Sequence, residues 1–448
     1  MKVVVVGAGL AGLRAADHLA RAGCAVELIE AGNRPGGRAR TVYDRFAGGQ
    51  YVESGAEWVD TDHHRMLELM ARFGVEPLGE AQAWTVIRRM LYRAGRVFTA
   101  EELRELNPTL EPALERYDDA FEAIADGIVD PAQPHLHPDA AYHDNRSMLD
   151  VINDLGLDEI ASLFAHRNSQ GEFADEPLAV SSLFVGQQRA HGRAEAEKVG
   201  GDSRAHRVNG GLVSIVTPYA ASVEAAMRQP VAYGELLTGV NWNRDGVEVH
   251  TNRRVMVANR VVLACSLVPL RAVRFDPVLP PPLAQAIVEL GYGTVTKTAL
   301  QYSERFWPAG YANTTLASQR IYEPTAAQAG DEGVLMAYTG GAGGRRLAEH
   351  DEAERMRAVA GDIAEMYGQS AAPLGGFSRA WNLQPRFGGS YAAYAPGQVT
   401  AFWQVLREPC GPIHLAGEHT ATWTGYLEGA LESGERVAAA CLVSPPVP

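Results

Sequence analysis

The sequence predicts an α/β protein: a doubly wound dinucleotide-binding domain assembled from non-contiguous segments, plus a mixed α+β domain made by the insertions between them. Three observations carry this. The chain opens on an apolar run, Lys2–Val6, that leads into Gly7-Ala8-Gly9-Leu10-Ala11-Gly12, then a helix-like stretch, a second apolar run at 24–29 and an acid, Glu30. Strand-like and helix-like segments of the same kind return in the middle and at the end of the chain. Finally, 448 residues are too many for one small core.

The opening segment is a Rossmann-like fingerprint. Gly7, Gly9 and Gly12 allow a tight turn, and the backbone N–H groups of Leu10 and Ala11 at the helix start are placed to meet a pyrophosphate. Glu30 closes the second strand and is placed to accept hydrogen bonds from a ribose hydroxyl pair. A plain structural turn is the alternative, which the strand, helix and acid around the glycines disfavour. After Glu30 comes Ala31, then Gly36-Gly37-Arg38. A guanidinium there can clamp a diphosphate bidentately. A nicotinamide enzyme has no evident need of this extension; FAD, lying extended, does.

Two later segments fit the same ligand. Glu53-Ser54-Gly55-Ala56-Glu57-Trp58 has small residues that let backbone pass close to a flat ring. Ala416-Gly417-Glu418-His419 precedes Thr424-Gly425-Tyr426-Leu427 at a helix start. A helix N-terminus aimed at a flavin stabilises negative charge on its N1–C2=O edge; a capped helix is the plain alternative.

Periodicity predicts helices over 61–73, 101–128, 352–367 and 427–441, and strands over 231–233, 247–250, 261–264, 294–302 and 413–416. Residues 133–146, rich in Pro, His and Asp, read as a surface loop, and His63 and His64 as surface residues. The division that follows is 1–78, 203–285 and 380–448 for the cofactor domain, and 79–202 and 286–379 for the substrate domain.

Composition is that of an ordinary globular protein. The net charge of −14 argues against nonspecific binding to nucleic acid or an anionic membrane. No stretch is long and apolar enough to span a bilayer. A strand beginning at Lys2 leaves no room for a leader, and the tail, 444–448, is too short for an anchor. The scattered cysteines, Cys24, Cys265, Cys410 and Cys441, form no CxxC and fit reduced thiols in the cytoplasm. No metal-ligand spacing, nucleophile elbow or P-loop is present.

Taken together, the chain resembles the flavin-containing amine oxidase superfamily, which includes monoamine, polyamine and L-amino acid oxidases. The blocks that carry the resemblance are 3–12, 30–40, Gly55 with Ala56, 207–211, Lys297, 381–391 and 417–436. It implies FAD contacts at Gly7, Gly9, Gly12, Glu30, Arg38, Val231 and Glu418, with the Val231 backbone against the adenine. Lys297 matches the lysine that holds a water at flavin N5; an exposed strand lysine is the alternative. Trp381 matches a tryptophan beside the flavin. Tyr391 and Tyr426 match two tyrosines that face each other there and steer a neutral amine toward the ring. Asp175 and Glu176 lie in the segment that resembles the substrate entrance.

Three departures matter. Ser390 stands where monoamine oxidases carry a flavin-linking cysteine, which implies noncovalent FAD. Gly32 stands where an arginine is common. Glu57 replaces a small polar residue above the flavin; it is either a partner or base for the substrate nitrogen, or a member of the cofactor's supporting shell. Arg320 is the candidate anchor for a substrate carboxylate, with a solvated arginine as the alternative. The resemblance implies oxidation of an amine C–N bond to an imine with O2 reduced to H2O2. A tailoring oxidase acting on a larger amine or amide with imine-derived cyclisation, an L-amino acid oxidase, and a flavin-binding protein or isomerase without net oxidation stay open, as does a homodimer.

Overall fold

A computed structural model of the chain describes residues 1–83, 89–368 and 371–443; the tail, 444–448, lies outside them. Its centre is a five-stranded sheet in the order Ala232–Tyr233, Ala25–Glu30, Lys2–Val6, Arg260–Leu263, Ile413–Leu415. Every pairing in it is parallel. Parallel strands covered on both faces need continuous apolar runs, and Val3, Val4 and Val5 are fully buried. Helix Leu10–Arg21 covers one face, packed against Val213–Met227 and Leu427–Val443. Gly434 makes the last contact possible, because a Cβ there would lie 2.5 Å from the Ala11 carbonyl oxygen. The first and last helices of the described residues are thus packed together.

The second large unit is a seven-stranded sheet in the order Gly375–Ala380, Val295–Tyr302, Gly333–Gly340, Arg320–Tyr322, Tyr311–Thr314, Arg89–Arg93, Arg96–Phe98. It is antiparallel except where Tyr311–Thr314 runs parallel to Arg89–Arg93. Its register sets Arg379, Lys297, Tyr338 and Arg320 in one row across four strands. Directly opposed residues share a face, so this row presents three cations and a phenol to the same side. The fold is α/β, a Rossmann-like cofactor sheet joined to a mixed second unit.

Three local expectations are corrected. The helix expected over 101–128 is two helices, Ala100–Leu106 and Leu110–Ala125. Pro108 separates them, since the residue before a proline is driven out of the α region, and Asn107 has φ −133°. Residues 133–146 are not a plain loop: they contain a 3-10 turn, Pro134–Leu136, and a helix, Ala140–Asp144. The Asp144 carboxylate is fully buried and accepts from Ser181 Oγ at 2.8 Å and Thr400 N at 2.8 Å, so a polar composition here marks an internal network. The early helix begins at His64, and His63 before it is buried rather than exposed.

Candidate active site

A cavity of about 590 Å³ runs from the carboxyl ends of the parallel strands to the face of the seven-stranded sheet. Crevices at the carboxyl ends of strands are where open α/β sheets bind ligands. At one end its wall is Val6, Gly7, Gly9, Leu10, Ala11, Glu30, Ala31 and the turn from Gly36 to Ala39. At the other end stand Gly55, Ala56, Lys297, Tyr338, Trp381, Tyr391, Gly417, Glu418, Gly425, Tyr426 and Leu427.

The glycine turn is shaped by contacts a side chain would destroy. Gly7 has φ +105°, and a Cβ on it would sit 2.7 Å from the Ala264 carbonyl oxygen. A Cβ on Gly12 would fall 1.8 Å from the Gly7 carbonyl oxygen, so Gly12 lets the helix dock and does not itself reach the cavity. Gly9 has nothing within 4 Å of its absent Cβ, and it leaves the cradle open toward the helix N-terminus. Glu30 braces the turn: its two oxygens accept from Ala8 N at 2.9 Å and Gly32 N at 2.6 Å.

Arg38 reaches across the molecule. Its Nη1 donates to Glu418 Oε1 at 2.9 Å and to the Ser390 carbonyl at 2.5 Å. The other Glu418 oxygen accepts from Gly425 N at 3.0 Å and Ala392 N at 3.3 Å. One arginine therefore ties the glycine turn to the loop that carries Tyr426. Ser390 spends its hydroxyl on the Gly293 carbonyl at 2.9 Å, and a hydroxyl offers no thiolate for a link to flavin.

At the far end, Lys297 is buried and donates to Glu57 Oε2 at 2.8 Å, the Gly55 carbonyl at 2.9 Å and the Glu53 carbonyl at 3.4 Å. An ammonium has three donors, so all are engaged, and the longest bond is the one most open to exchange with water. Glu57 lies behind Lys297 rather than on the cavity wall. It also accepts from Arg207 Nε at 2.7 Å and Tyr322 Oη at 2.6 Å. Burial alone would raise its pKa, but the Lys297 and Arg207 cations and the donors around it hold the carboxyl down at about 2. Of the two roles open for Glu57 from the sequence, the geometry supports the supporting shell: a carboxylate so stabilised is a poor base.

Trp381 Nε1 donates to the Ser54 carbonyl at 2.7 Å and pins the small-residue segment against the cavity. Tyr391 and Tyr426 both line the cavity. Tyr391 Oη donates to the Gly171 carbonyl at 2.9 Å and lies 2.7 Å from Tyr338 Oη. Burial, and then Tyr338, push the Tyr391 phenol well above its ordinary range, so it stays neutral. Tyr426 packs edge-on to Trp423 and His63 with centroids 5.1 and 5.6 Å away. Burial pulls His63 down to about 3, so this wall is uncharged.

Two site residues read from the sequence lie elsewhere. Val231 is buried in the core and its N–H is taken by Glu224 Oε1 at 2.9 Å; the cavity wall in that region is Gly234 to Leu237. Proline at 230 and the short strand at 232–233 bring the chain to the right edge of the sheet but turn Val231 inward. Arg320 is half-buried and off the cavity wall. It donates to the Arg167 carbonyl at 3.0 Å and Asn313 Oδ1 at 3.4 Å, and it packs against Gly171. Residues absent from the sequence reading are Tyr338, Tyr322 and Gly171. Only the tertiary structure reveals them: Tyr338 stands opposite Lys297 in the sheet, Tyr322 donates to Glu57, and Gly171, in helix Glu159–Glu172, accepts from Tyr391. The fold also gathers Asp60, Asp62 and His63, and His137, Asp139 and His143, among the described residues. In each group one histidine Nδ1 is already taken, since His63 accepts from Asp60 N at 3.0 Å and His137 from Asp139 N at 2.9 Å.

The cradle left open at Gly9, the brace at Glu30 and the flat wall at Gly55 and Trp381 fit FAD lying along the cavity. Among the described residues no helix is long and apolar enough to cross a membrane. The family model for flavin containing amine oxidoreductase matches residues 10–442. The amine oxidase [flavin-containing] A of Bos taurus is 30% identical over 455 residues, covering 97% of this chain and 84% of that protein. A putative flavin-containing monoamine oxidase, AofH, of Mycobacterium tuberculosis is 30% identical over 459 residues, covering 98% and 95%. Among solved structures, cyclohexylamine oxidase from Brevibacterium oxydans IH-35A superposes with a TM-score of 0.86 at 24% identity over 98% of both chains. Putrescine oxidase bound to putrescine gives 0.85 at 24% identity over 99% of both. The chain belongs to the flavin-containing amine oxidoreductases, FAD enzymes that act on CH–NH groups.

Proposed function

We propose that the protein oxidises the C–N bond of an amine to an imine and passes the two electrons and two protons removed to O2, giving H2O2. FAD, when bound, supplies the redox chemistry. The observation that carries the reading is one cavity end that joins Lys297, Trp381, Tyr391 and Tyr426. Burial there disfavours a charged ammonium, and the neutral phenols of Tyr391 and Tyr426 orient a nitrogen lone pair. Tyr391 holds its pose through the Tyr338 hydroxyl and the Gly171 carbonyl. Lys297, once it exchanges the long Glu53 bond for a water, offers a fixed cation where O2 gains negative charge. The substrate therefore enters as the free amine, with its proton lost before binding, because Glu57 is committed to Lys297, Arg207 and Tyr322.

The relatives named for cyclohexylamine and putrescine support a small aliphatic amine. A role for Glu57 in amide deprotonation, or for Arg320 in amino acid binding, draws on groups already tied to other residues. The same reading assigns 1–78, 203–285 and 380–448 to cofactor binding, 79–202 and 286–379 to the substrate, and places the reaction in the cytoplasm. Anaerobic mixing of the holoenzyme with a panel of amines tests it: flavin absorbance bleaches with at least one, and air restores it with one H2O2 per turnover. If no amine bleaches the flavin, the reading fails.

A further inference from the structure

We propose that Arg386 is the cation that neutralises the diphosphate of FAD in this protein. The inference rests on FAD binding alone and not on which amine is oxidised. The charged groups on the cavity wall are Glu30, Arg38, Glu235, Lys297, Arg386 and Glu418. Arg38 is paired with Glu418, Lys297 with Glu57, and Glu235 with Arg254. Glu30 is bound to two backbone N–H groups. Arg386 has no hydrogen bond or ion pair among the described residues, yet it lines the cavity. A diphosphate brings two negative charges, and among the described residues of the cavity wall this guanidinium is the cation without a carboxylate partner, so it can meet them bidentately.

Its position agrees. Arg386 Nη1 lies 3.6 Å from where Gly32 would carry a Cβ, and that Cβ would lie 2.9 Å from Glu30 Oε1. The guanidinium therefore stands beside the turn that follows Glu30. The next residue, Phe387, comes within 3.8 Å of the Cβ position of Gly37, which itself lies 3.5 Å from the Gly9 Cα. Pro385-Arg386-Phe387 thus covers the two glycine turns that form the cradle. The backbone here is anchored, with Phe387 N donating to the Gln384 carbonyl at 2.9 Å and Ser266 Oγ to the Phe387 carbonyl at 2.8 Å. Arg34 is no rival: its guanidinium folds back onto the carbonyls of Pro35, Gly37 and Ala39. The absence of a side chain at Gly32 leaves room for an arginine arriving from far along the chain.

The test measures FAD affinity by flavin fluorescence on dilution of the holoenzyme, with ADP and adenosine as competitors. Arg386→Ala is expected to weaken FAD and ADP at least tenfold, to leave adenosine unchanged and to flatten the salt dependence of FAD binding. Arg386→Lys should keep part of the affinity, and Gly32→Arg placed on Arg386→Ala should restore part of it. Unchanged FAD affinity in Arg386→Ala overturns the proposal. So does an equal loss for ADP and adenosine, which marks a damaged fold rather than a lost phosphate contact.

Discussion

At Glu57 a carboxylate meets two cations and a phenol, and the site's charge balance is set there. Lys297 is buried, and a buried cation is tolerated only when paired and hydrogen-bonded. Glu57 supplies that pairing, so the two act as a unit. Replacing Lys297 by Met should slow reoxidation of the reduced flavin by O2 at least tenfold while leaving the rate of reduction by amine within about threefold; stopped-flow traces of the two half-reactions separate these effects. Close by, Glu53 is in the opposite situation. Burial raises its carboxyl to about 7, against the hydrogen bonds from Leu212 N and Thr41 Oγ1. In the unfolded chain it titrates in the ordinary carboxylate range. Between the two values the folded state holds the extra proton, so stability falls as pH rises through that window and stays low above it. The full penalty is about 3 kcal/mol at 1.36 kcal/mol per pKa unit. Glu53→Gln should remove this slope: its melting temperature relative to the parent rises between pH 5 and 7.5, and a pH-independent difference would falsify the assignment.

Among the elements, the helix that starts at Leu10 does two jobs through two different glycines. Gly12 permits docking on the strand, and Gly9 leaves space for the ligand. Alanine at position 12 gains about 1 kcal/mol of helix propensity yet forces a methyl into the Gly7 carbonyl. Gly12→Ala is therefore expected to lower the melting temperature of the apo-protein despite the better propensity. Gly9→Ala should leave apo stability unchanged and weaken FAD, since its methyl enters open cavity. A calorimetric scan of each apo-protein beside an FAD titration distinguishes the two outcomes. The same element was legible from sequence because its glycines, apolar run and acid are close neighbours along the chain. Residues 101–128 were less so: helical periodicity continues across Pro108, and the break depends on one residue's backbone.

For the whole molecule, the site exists because distant segments converge. Arg38 and Glu418 are 380 residues apart and form a largely buried pair. Arg38→Ala leaves Glu418 buried without its cation, at a cost of about 3 kcal/mol or more. We expect the variant to lose FAD on gel filtration and to melt several degrees lower. Retention of FAD with unchanged melting would show that the Glu418 loop is held by Gly425 and Ala392 alone.

Much of the cofactor end was readable in advance, because Gly7 to Gly12, Glu30 and Arg38 are local patterns whose spacing reflects one turn and one strand. Val231 and Arg320 are off the cavity wall for the complementary reason. A proline-led strand and an arginine beside a loop specify position along the chain, but where a backbone N–H or a guanidinium is spent depends on what packs against it. Glu57 shows the same limit, since its two readings differ only in which residues lie within 3 Å. By itself, then, the sequence determined the α/β class, the dinucleotide cradle and the types of residue at the reactive end. Tertiary structure alone decided which charges cancel. Arg38 is paired with Glu418, Lys297 with Glu57, and Arg386 has no partner among the described residues. Ion pairing follows distance in space, and distance in space between segments hundreds of residues apart is set by how the two sheets meet.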